Sequence, residues 1–124
     1  MAGERLLLID DDAELCQEVA EALRDEGFVV ENTSDTSEGE KLVARGVFDV
    51  VILDYKMPGL NGIELLRMIK SKRPKTKVII TTGRPFIEKL LEEEGASHLV
   101  SGIVMKPFSY DELLEKIAKS LPLS

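Results

Sequence analysis

Residues 6–12 read Leu6-Leu7-Leu8-Ile9-Asp10-Asp11-Asp12, four apolar residues followed directly by three acids. An apolar run this short is typical of a strand that is buried on both faces of a parallel sheet. Three acids at the end of such a strand are unusual, because an N-cap or a turn needs only one carboxylate. The stretch therefore indicates a buried strand that ends at a site rich in negative charge.

Further apolar runs along the chain predict the other strands of the same sheet. They lie at residues 28–30, 50–53, 78–80 and 103–105. The run at 28–30 is the weakest, and the polar Glu31 and Asn32 that follow it favour a position near the sheet edge. Because helical patterns separate all five runs, we expect a parallel α/β sheet with helices on both faces.

The spacing of apolar residues and helix-capping residues predicts five helices. The first is expected at residues 13–26, with Asp12 as N-cap, and the second at 37–44, with Ser37 and Glu40 as a capping box. The third follows Asn61 and Gly62 and runs up to Pro74, and the fourth runs from Pro85 to Gly95. The fifth runs from Ser109 to Pro122, with Ser109 and Glu112 as a second capping box. No linker, repeat or low-complexity tract interrupts this order, so residues 1–124 are interpreted as one domain.

Composition argues against several classes of function. The chain has 124 residues and a formal net charge of -7, which disfavours direct binding of nucleic acid. We find neither a signal peptide nor a run approaching the roughly 18 apolar residues of a membrane span. The single cysteine, Cys16, cannot form an internal disulfide. A cytoplasmic protein without membrane contact is therefore expected.

Chemically informative residues follow the predicted strands. The first strand runs into Asp10 and Asp11, the third into Asp54, the fourth into Thr81 and Thr82, and the fifth into Lys106. In a parallel sheet these ends share one edge, which is where ligands bind. Clustered carboxylates repel one another unless a cation joins them, and an all-oxygen site with open positions suits Mg²⁺. The set predicts phosphoryl transfer, in which positioning and charge neutralisation do most of the catalysis.

Four motifs of the chain together resemble the receiver domains of two-component response regulators. They are Leu8-Ile9-Asp10-Asp11-Asp12, the loop Leu53-Asp54-Tyr55-Lys56-Met57-Pro58-Gly59 with Gly62, Ile80-Thr81-Thr82-Gly83, and Met105-Lys106-Pro107-Phe108. The resemblance covers nearly the whole chain. It implies a doubly wound, CheY-like (flavodoxin-like) (βα)5 fold of three layers with strand order 2-1-3-4-5.

The resemblance also implies a mechanism and partners. Asp54 would accept a phosphoryl group from a sensor histidine kinase or a phosphotransfer protein. Asp11, Asp54 and the backbone carbonyl of Lys56 would ligate Mg²⁺, and Asp10 would do so partly through water. Lys106, which would precede a cis peptide bond to Pro107, and Thr82 would contact the phosphoryl group. The face of the fourth helix, fifth strand and fifth helix would then signal to an effector protein, an output domain or a second copy of the chain.

Three features depart from the family pattern or vary within it: one residue, one segment and one pair of basic residues. Ile103 stands where members usually carry an aromatic residue that couples to the switch threonine. The segment 95–102 is longer than usual, and its Leu99 and Val100 are either exposed partner contacts or part of a repacked core edge. Lys56 and Arg84 occupy positions that tune the phosphoryl lifetime in the family. Our hypothesis is that these two basic side chains shield the acyl phosphate.

Other functions fit the sequence less well. A phosphatase that forms an aspartyl phosphate normally needs a second acid two residues after the nucleophile, where this chain has Lys56. A pseudo-receiver that only binds partners would not need the full set of acids, threonine and lysine. We therefore expect a switch rather than an enzyme, either as a stand-alone regulator or as the receiver module of a longer transcriptional regulator.

Overall fold

A computed structural model of the chain describes residues 3–55 and 62–121. Strands and helices alternate through these residues. In chain order they are β1 (Arg5–Ile9), α1 (Ala13–Asp25), β2 (Val29–Thr33), α2 (Thr36–Arg45), β3 (Val50–Asp54), α3 (Gly62–Lys72), β4 (Lys77–Thr82), α4 (Ile87–Glu93), a short 3-10 helix (Ser97–Leu99), β5 (Gly102–Met105) and α5 (Tyr110–Ser120). None of these helices combines the length and hydropathy that a membrane crossing requires.

The strands form one parallel sheet of order β2-β1-β3-β4-β5, which confirms the predicted topology. The edge position predicted for the second strand is also confirmed, although β2 extends to Thr33 because each residue of β1 pairs with one of β2. Arg24 of α1 reaches this edge and donates hydrogen bonds to the carbonyl oxygen of Val30 at 3.2 and 2.8 Å. The β2 edge is therefore partly covered by a charged side chain.

Apolar side chains from the two faces of the sheet form two separate cores. On one face α1 and α5 pack over Leu6, Leu8 and Ile52. On the other face α2, α3 and α4 pack over Leu7 and Leu53. This alternation of side chains along each buried strand produces the three-layer arrangement.

Helix termini confirm two predicted caps. The Asp12 carboxylate accepts a hydrogen bond from the backbone N–H of Leu15, and the Ser109 hydroxyl accepts one from the N–H of Glu112. Gly27 ends α1 in a left-handed conformation with φ of 102°, which a residue without a β-carbon adopts at little cost.

The predicted starts of α2 and α4 are wrong. Asp35 caps α2, because its backbone is extended and its carboxylate accepts a hydrogen bond from the N–H of Ser37, so Ser37 lies inside the helix. Pro85 lies in a turn before α4. The next residue, Phe86, has a left-handed backbone with φ of 64°, which cannot belong to a right-handed helix, so α4 begins at Ile87.

The segment 95–102 contains the 3-10 helix and closes one side of the core. Leu99 and Val100 are partly buried and pack against the cluster that includes Leu91. Ala96 is fully buried. Leu99 and Val100 are therefore not fully exposed and the segment is a repacked edge of the core, whereas partner contact at these two residues stays a prediction.

Candidate functional site

The carboxyl ends of the strands bring the predicted site residues to one edge of the sheet. Asp54 is the last residue of β3 and lies opposite Thr81 of β4. Beside them, the backbone N–H of Lys106 donates to the carbonyl oxygen of Thr82 at 2.7 Å, and the N–H of Asp10 donates to that of Thr33 at 3.2 Å. Strand pairing and backbone hydrogen bonds therefore fix the backbone positions from which the functional side chains extend.

Three carboxylates converge at this edge. Asp10, Asp11 and Asp54 each have a carboxylate oxygen within 4.8 Å of the others. Asp10 and Asp54 are each 3% exposed, whereas Asp11 lies at the surface. Such a set fits a hard divalent cation, because all its donors are oxygens and its exposed side leaves room for water or a phosphate oxygen. These residues could therefore bind a metal ion.

Lys106 supplies positive charge to the same cluster. Its Nζ atom lies 2.9 Å from Oδ2 of Asp10 and 3.5 Å from Oδ2 of Asp54. Burial lowers the pKa of Lys106, but the hydrogen bond to Asp10 and the charges of Asp10 and Asp54 outweigh burial and raise the pKa overall. Lys106 is therefore cationic at neutral pH, and three carboxylates with one ammonium carry a summed formal charge of -2. A divalent cation would balance this charge.

Asp10 is held by hydrogen bonds at both of its oxygens. Oδ1 accepts a hydrogen bond from the backbone N–H of Asp12 at 3.0 Å, and Oδ2 accepts one from Lys106. Asp12 itself caps α1 and does not belong to the acid cluster. Asp10 therefore orients Lys106 and the loop after β1, in addition to adding charge to the cluster.

The fourth strand contributes buried hydroxyl groups. Thr81 and Thr82 are 2% and 0% exposed, and both lie within β4 and not after it. The hydroxyl oxygen of Thr82 accepts a hydrogen bond from the backbone N–H of Arg84 at 3.0 Å. This contact joins Thr82 to the loop that leads into α4.

Tyr55, next to Asp54, is a residue of the site that the sequence analysis did not single out. Its ring lies 5.8 Å from the Arg84 guanidinium carbon, within the range of a cation–π contact. A β-carbon at Gly62 would lie 2.7 Å from Cδ2 of Tyr55, so the missing side chain of Gly62 leaves space for the ring. An aromatic residue beside the acid and a glycine at the start of α3 were the available signals.

Two further expectations have different outcomes. The peptide bond between Lys106 and Pro107 is cis, as the resemblance implied. The metal ligand expected from the backbone carbonyl of Lys56 lies outside the described residues.

Ile103 is half-buried and packs against the core beside α4, where it lines a groove with Met105.

Known proteins resemble this chain in sequence, and solved structures share its fold. The chain is 33% identical over 113 residues to the cell cycle response regulator CtrA of Brucella ovis, and the match covers 91% of this chain and 48% of that protein. The chain therefore spans about half the length of the curated relatives it matches.

Solved structures give closer agreement in length. A CheY-like response regulator receiver domain protein from Methanospirillum hungatei superposes with a TM-score of 0.86 at 30% identity, covering 95% of this chain and 93% of the other. The response regulator TrrA from Thermotoga maritima, solved in complex with Mg²⁺-BeF, gives a TM-score of 0.81 at 31% identity, covering 95% and 99%. The model of the response regulator receiver domain family matches residues 6–118. With its topology, its acid cluster and these matches, the chain belongs to the response regulator receiver domain family.

Proposed function

We propose that the chain is a two-component signalling switch that accepts a phosphoryl group on Asp54 in a Mg²⁺-dependent reaction. One observation carries the proposal: Asp10, Asp11 and Asp54 meet within 4.8 Å, with Lys106 in contact with two of them. Two acids and a lysine are held next to a carboxylate that can act as a nucleophile. The sensor histidine kinase or phosphotransfer protein that donates the group is part of the proposal.

The donor set fits Mg²⁺, the ion present in the TrrA structure. We assign Asp11 and Asp54 as direct ligands and Asp10 as a ligand partly through water, because both Asp10 oxygens already accept hydrogen bonds. The backbone carbonyl of Lys56 completes the protein ligands in this assignment. When bound, Mg²⁺ supplies the positive charge that lowers repulsion between an anionic nucleophile and an anionic phosphoryl group.

Each protein group then has a defined task in transfer. An oxygen of Asp54 forms a bond to phosphorus while the bond between phosphorus and the donor imidazole nitrogen breaks. Lys106, 3.5 Å from Asp54, pairs with the charge of the transferred group. The Thr82 hydroxyl has one donor and two acceptor sites, so it can donate to a phosphoryl oxygen while it still accepts from Arg84.

We assign signal output to the face formed by α4, β5 and α5. A groove of about 880 Å³ runs along this face, and its rim carries Phe86, which is 81% exposed, and Met105, which is 43% exposed. Ile103 lines this groove at the position where family members carry an aromatic residue. In this proposal, movement of the loop after Thr82 transmits the change in place of rotation of that aromatic ring. A shift from 1:99 to 99:1 between two packings needs about 5.5 kcal/mol of differential interaction.

The occupant of this face is an effector protein, an output domain or a second copy of the chain in the phosphorylated state. A place within a longer transcriptional regulator is favoured by one observation, since the relatives named CtrA are about twice as long as the match. The net charge of -7 implies that contacts to DNA would come from another part of such a protein.

Phosphate uptake tests the proposed function directly. The chain should gain one phosphoryl group from acetyl phosphate or phosphoramidate when Mg²⁺ is present, and none when EDTA is present. Asp54→Asn should abolish uptake. Asp25→Asn is the matched control, because Asp25 ends α1 and is exposed at the helix end opposite Asp12. Uptake by the Asp54→Asn variant, or by the wild-type chain in EDTA, would contradict the proposal.

A further inference from the structure

Tyr55 and Arg84 join two loops of the site through a ring contact. The guanidinium carbon lies 5.8 Å from the ring centroid. Tyr55 directly follows Asp54, and Arg84 lies two residues after Thr82. Both ends of the contact are therefore attached to residues of the proposed phosphorylation site.

The ring is held in place from several directions. The backbone N–H of Tyr55 donates to the carbonyl oxygen of Thr81 at 3.0 Å, which fixes the base of the side chain. Gly62 approaches the ring so closely that a β-carbon there would lie 2.7 Å from Cδ2. The ring is also half-buried against the core. Tyr55 therefore presents one face in a restricted orientation.

Within residues 3–55 and 62–121, Arg84 is held by its backbone N–H and by the contact of its side chain with the ring. Its N–H donates to Thr82 at 3.0 Å, while its side chain is exposed. An exposed arginine has many rotamers, and fixing it in one place loses conformational entropy. The contact with Tyr55 offsets this loss because arginine packs well on an aromatic face.

We propose that Tyr55 is a positioning residue whose ring holds the Arg84 guanidinium at the mouth of the acid site, where it slows hydrolysis of phosphorylated Asp54. This proposal rests on the proposed function. In hydrolysis a water oxygen bonds to phosphorus, the bond between phosphorus and the Asp54 oxygen breaks, and inorganic phosphate and the Asp54 carboxylate form. A guanidinium over the site restricts the approach of that water and pairs with a phosphoryl oxygen.

Phosphoryl lifetime tests the role of Tyr55. The chain is loaded with phosphoramidate in Mg²⁺, the donor is removed, and release of inorganic phosphate is followed. Arg84→Ala and Tyr55→Leu should each speed release about two- to five-fold, the factor that an exposed cation–π contact supports. The double variant should be no faster than either single variant, because both remove the same contact. Tyr55→Phe keeps the ring face and should behave as wild type.

The two proposals fail in different ways, so the experiment distinguishes failure of the Tyr55 role from failure of the proposed function. If the wild-type chain takes up no phosphate, both fail. If uptake is normal but Tyr55→Leu releases phosphate at the wild-type rate, or adds its effect to that of Arg84→Ala, only the positioning role of Tyr55 is overturned. Urea unfolding of each variant is measured alongside, so that a change in the rate of phosphate release is not mistaken for an effect of unfolding.

Tyrosine fluorescence gives a second readout that needs no phosphoryl group. The chain has two tyrosines and no tryptophan, so Tyr110→Phe leaves Tyr55 as the sole strong emitter. Adding Arg84→Ala to this background should change the Tyr55 emission, because the cation leaves the ring. Unchanged emission would show that the contact is absent in solution and would overturn the proposal.

Discussion

Replacing Lys106 with methionine should destabilise the protein in EDTA by about 2 kcal/mol, and Mg²⁺ should reduce this loss. The hydrogen bond from Nζ to Asp10 at 2.9 Å is charge-assisted and joins a side chain that is 26% exposed to one that is 4% exposed. Such bonds contribute about 1.5 to 3 kcal/mol, and partial exposure of Lys106 places the value in the lower part of this range. Methionine keeps most of the apolar stem, so the loss reports charge and hydrogen bonding rather than a cavity.

The free energy of unfolding is measured by urea titration at pH 7, with EDTA and again with Mg²⁺. The hydrogen bond to Asp10 and the charges of Asp10 and Asp54 outweigh burial and raise the Lys106 pKa. The lysine contribution is therefore complete below its unfolded pKa of 10.5 and is lost as the pH rises through the folded value. Lys119→Met is the control, since its pair with Glu115 is solvent-exposed and should contribute little to stability. A loss no larger than that of the control, or one unchanged by Mg²⁺, would refute the charge balance argued for this site.

Three further predictions concern the packing of α2, the cap of α2 and the buried thiol. Gly39→Ala should change stability by less than about 1 kcal/mol, because a β-carbon 2.9 Å from Cδ1 of Ile9 displaces the end of that side chain while alanine is favoured over glycine within α2 by about 0.5 to 1 kcal/mol. Adding Ile9→Val removes that atom, so the double variant should be more stable in urea unfolding than the sum of the two single changes; a fully additive double variant would argue against the clash. Asp35→Ala should lower the free energy of unfolding by about 0.5 to 2 kcal/mol through loss of the α2 cap, whereas Ser37→Ala should change it little. Thermal unfolding measures both. A larger loss for Ser37→Ala than for Asp35→Ala would favour the capping box first predicted at Ser37 and Glu40. Burial raises the pKa of the Cys16 thiol above its usual 9.0, so its contribution to stability is complete below that unfolded value and is lost as the pH rises through the folded value. Cys16→Ala should flatten this alkaline loss in unfolding measured from pH 7 to 10, and an unchanged slope would assign the loss to other groups.

Local patterns in the sequence were enough to predict much of the fold. The apolar run at residues 6–9 and its acidic end indicated β1, and Asp12 and Ser109 cap the helices that they were expected to cap. These features depend on neighbours within a few residues, so a single chain segment contains the information. The start of α2 was missed because Asp35 and Ser37 are both good N-caps, and only the backbone conformation separates them.

The sequence by itself determined which groups could do chemistry here: three acids, a threonine and a lysine, each at the end of an apolar run. Only the tertiary structure decided how these groups meet. Lys106 and Asp10 are 96 residues apart, and their 2.9 Å contact depends on the order and register of the strands, which no local pattern encodes. The ring contact of Tyr55 with Arg84 likewise needs Gly62 packed against Tyr55 and the loop after β4 in place. Residue types follow from the sequence, but distances between side chains follow from strand register and packing.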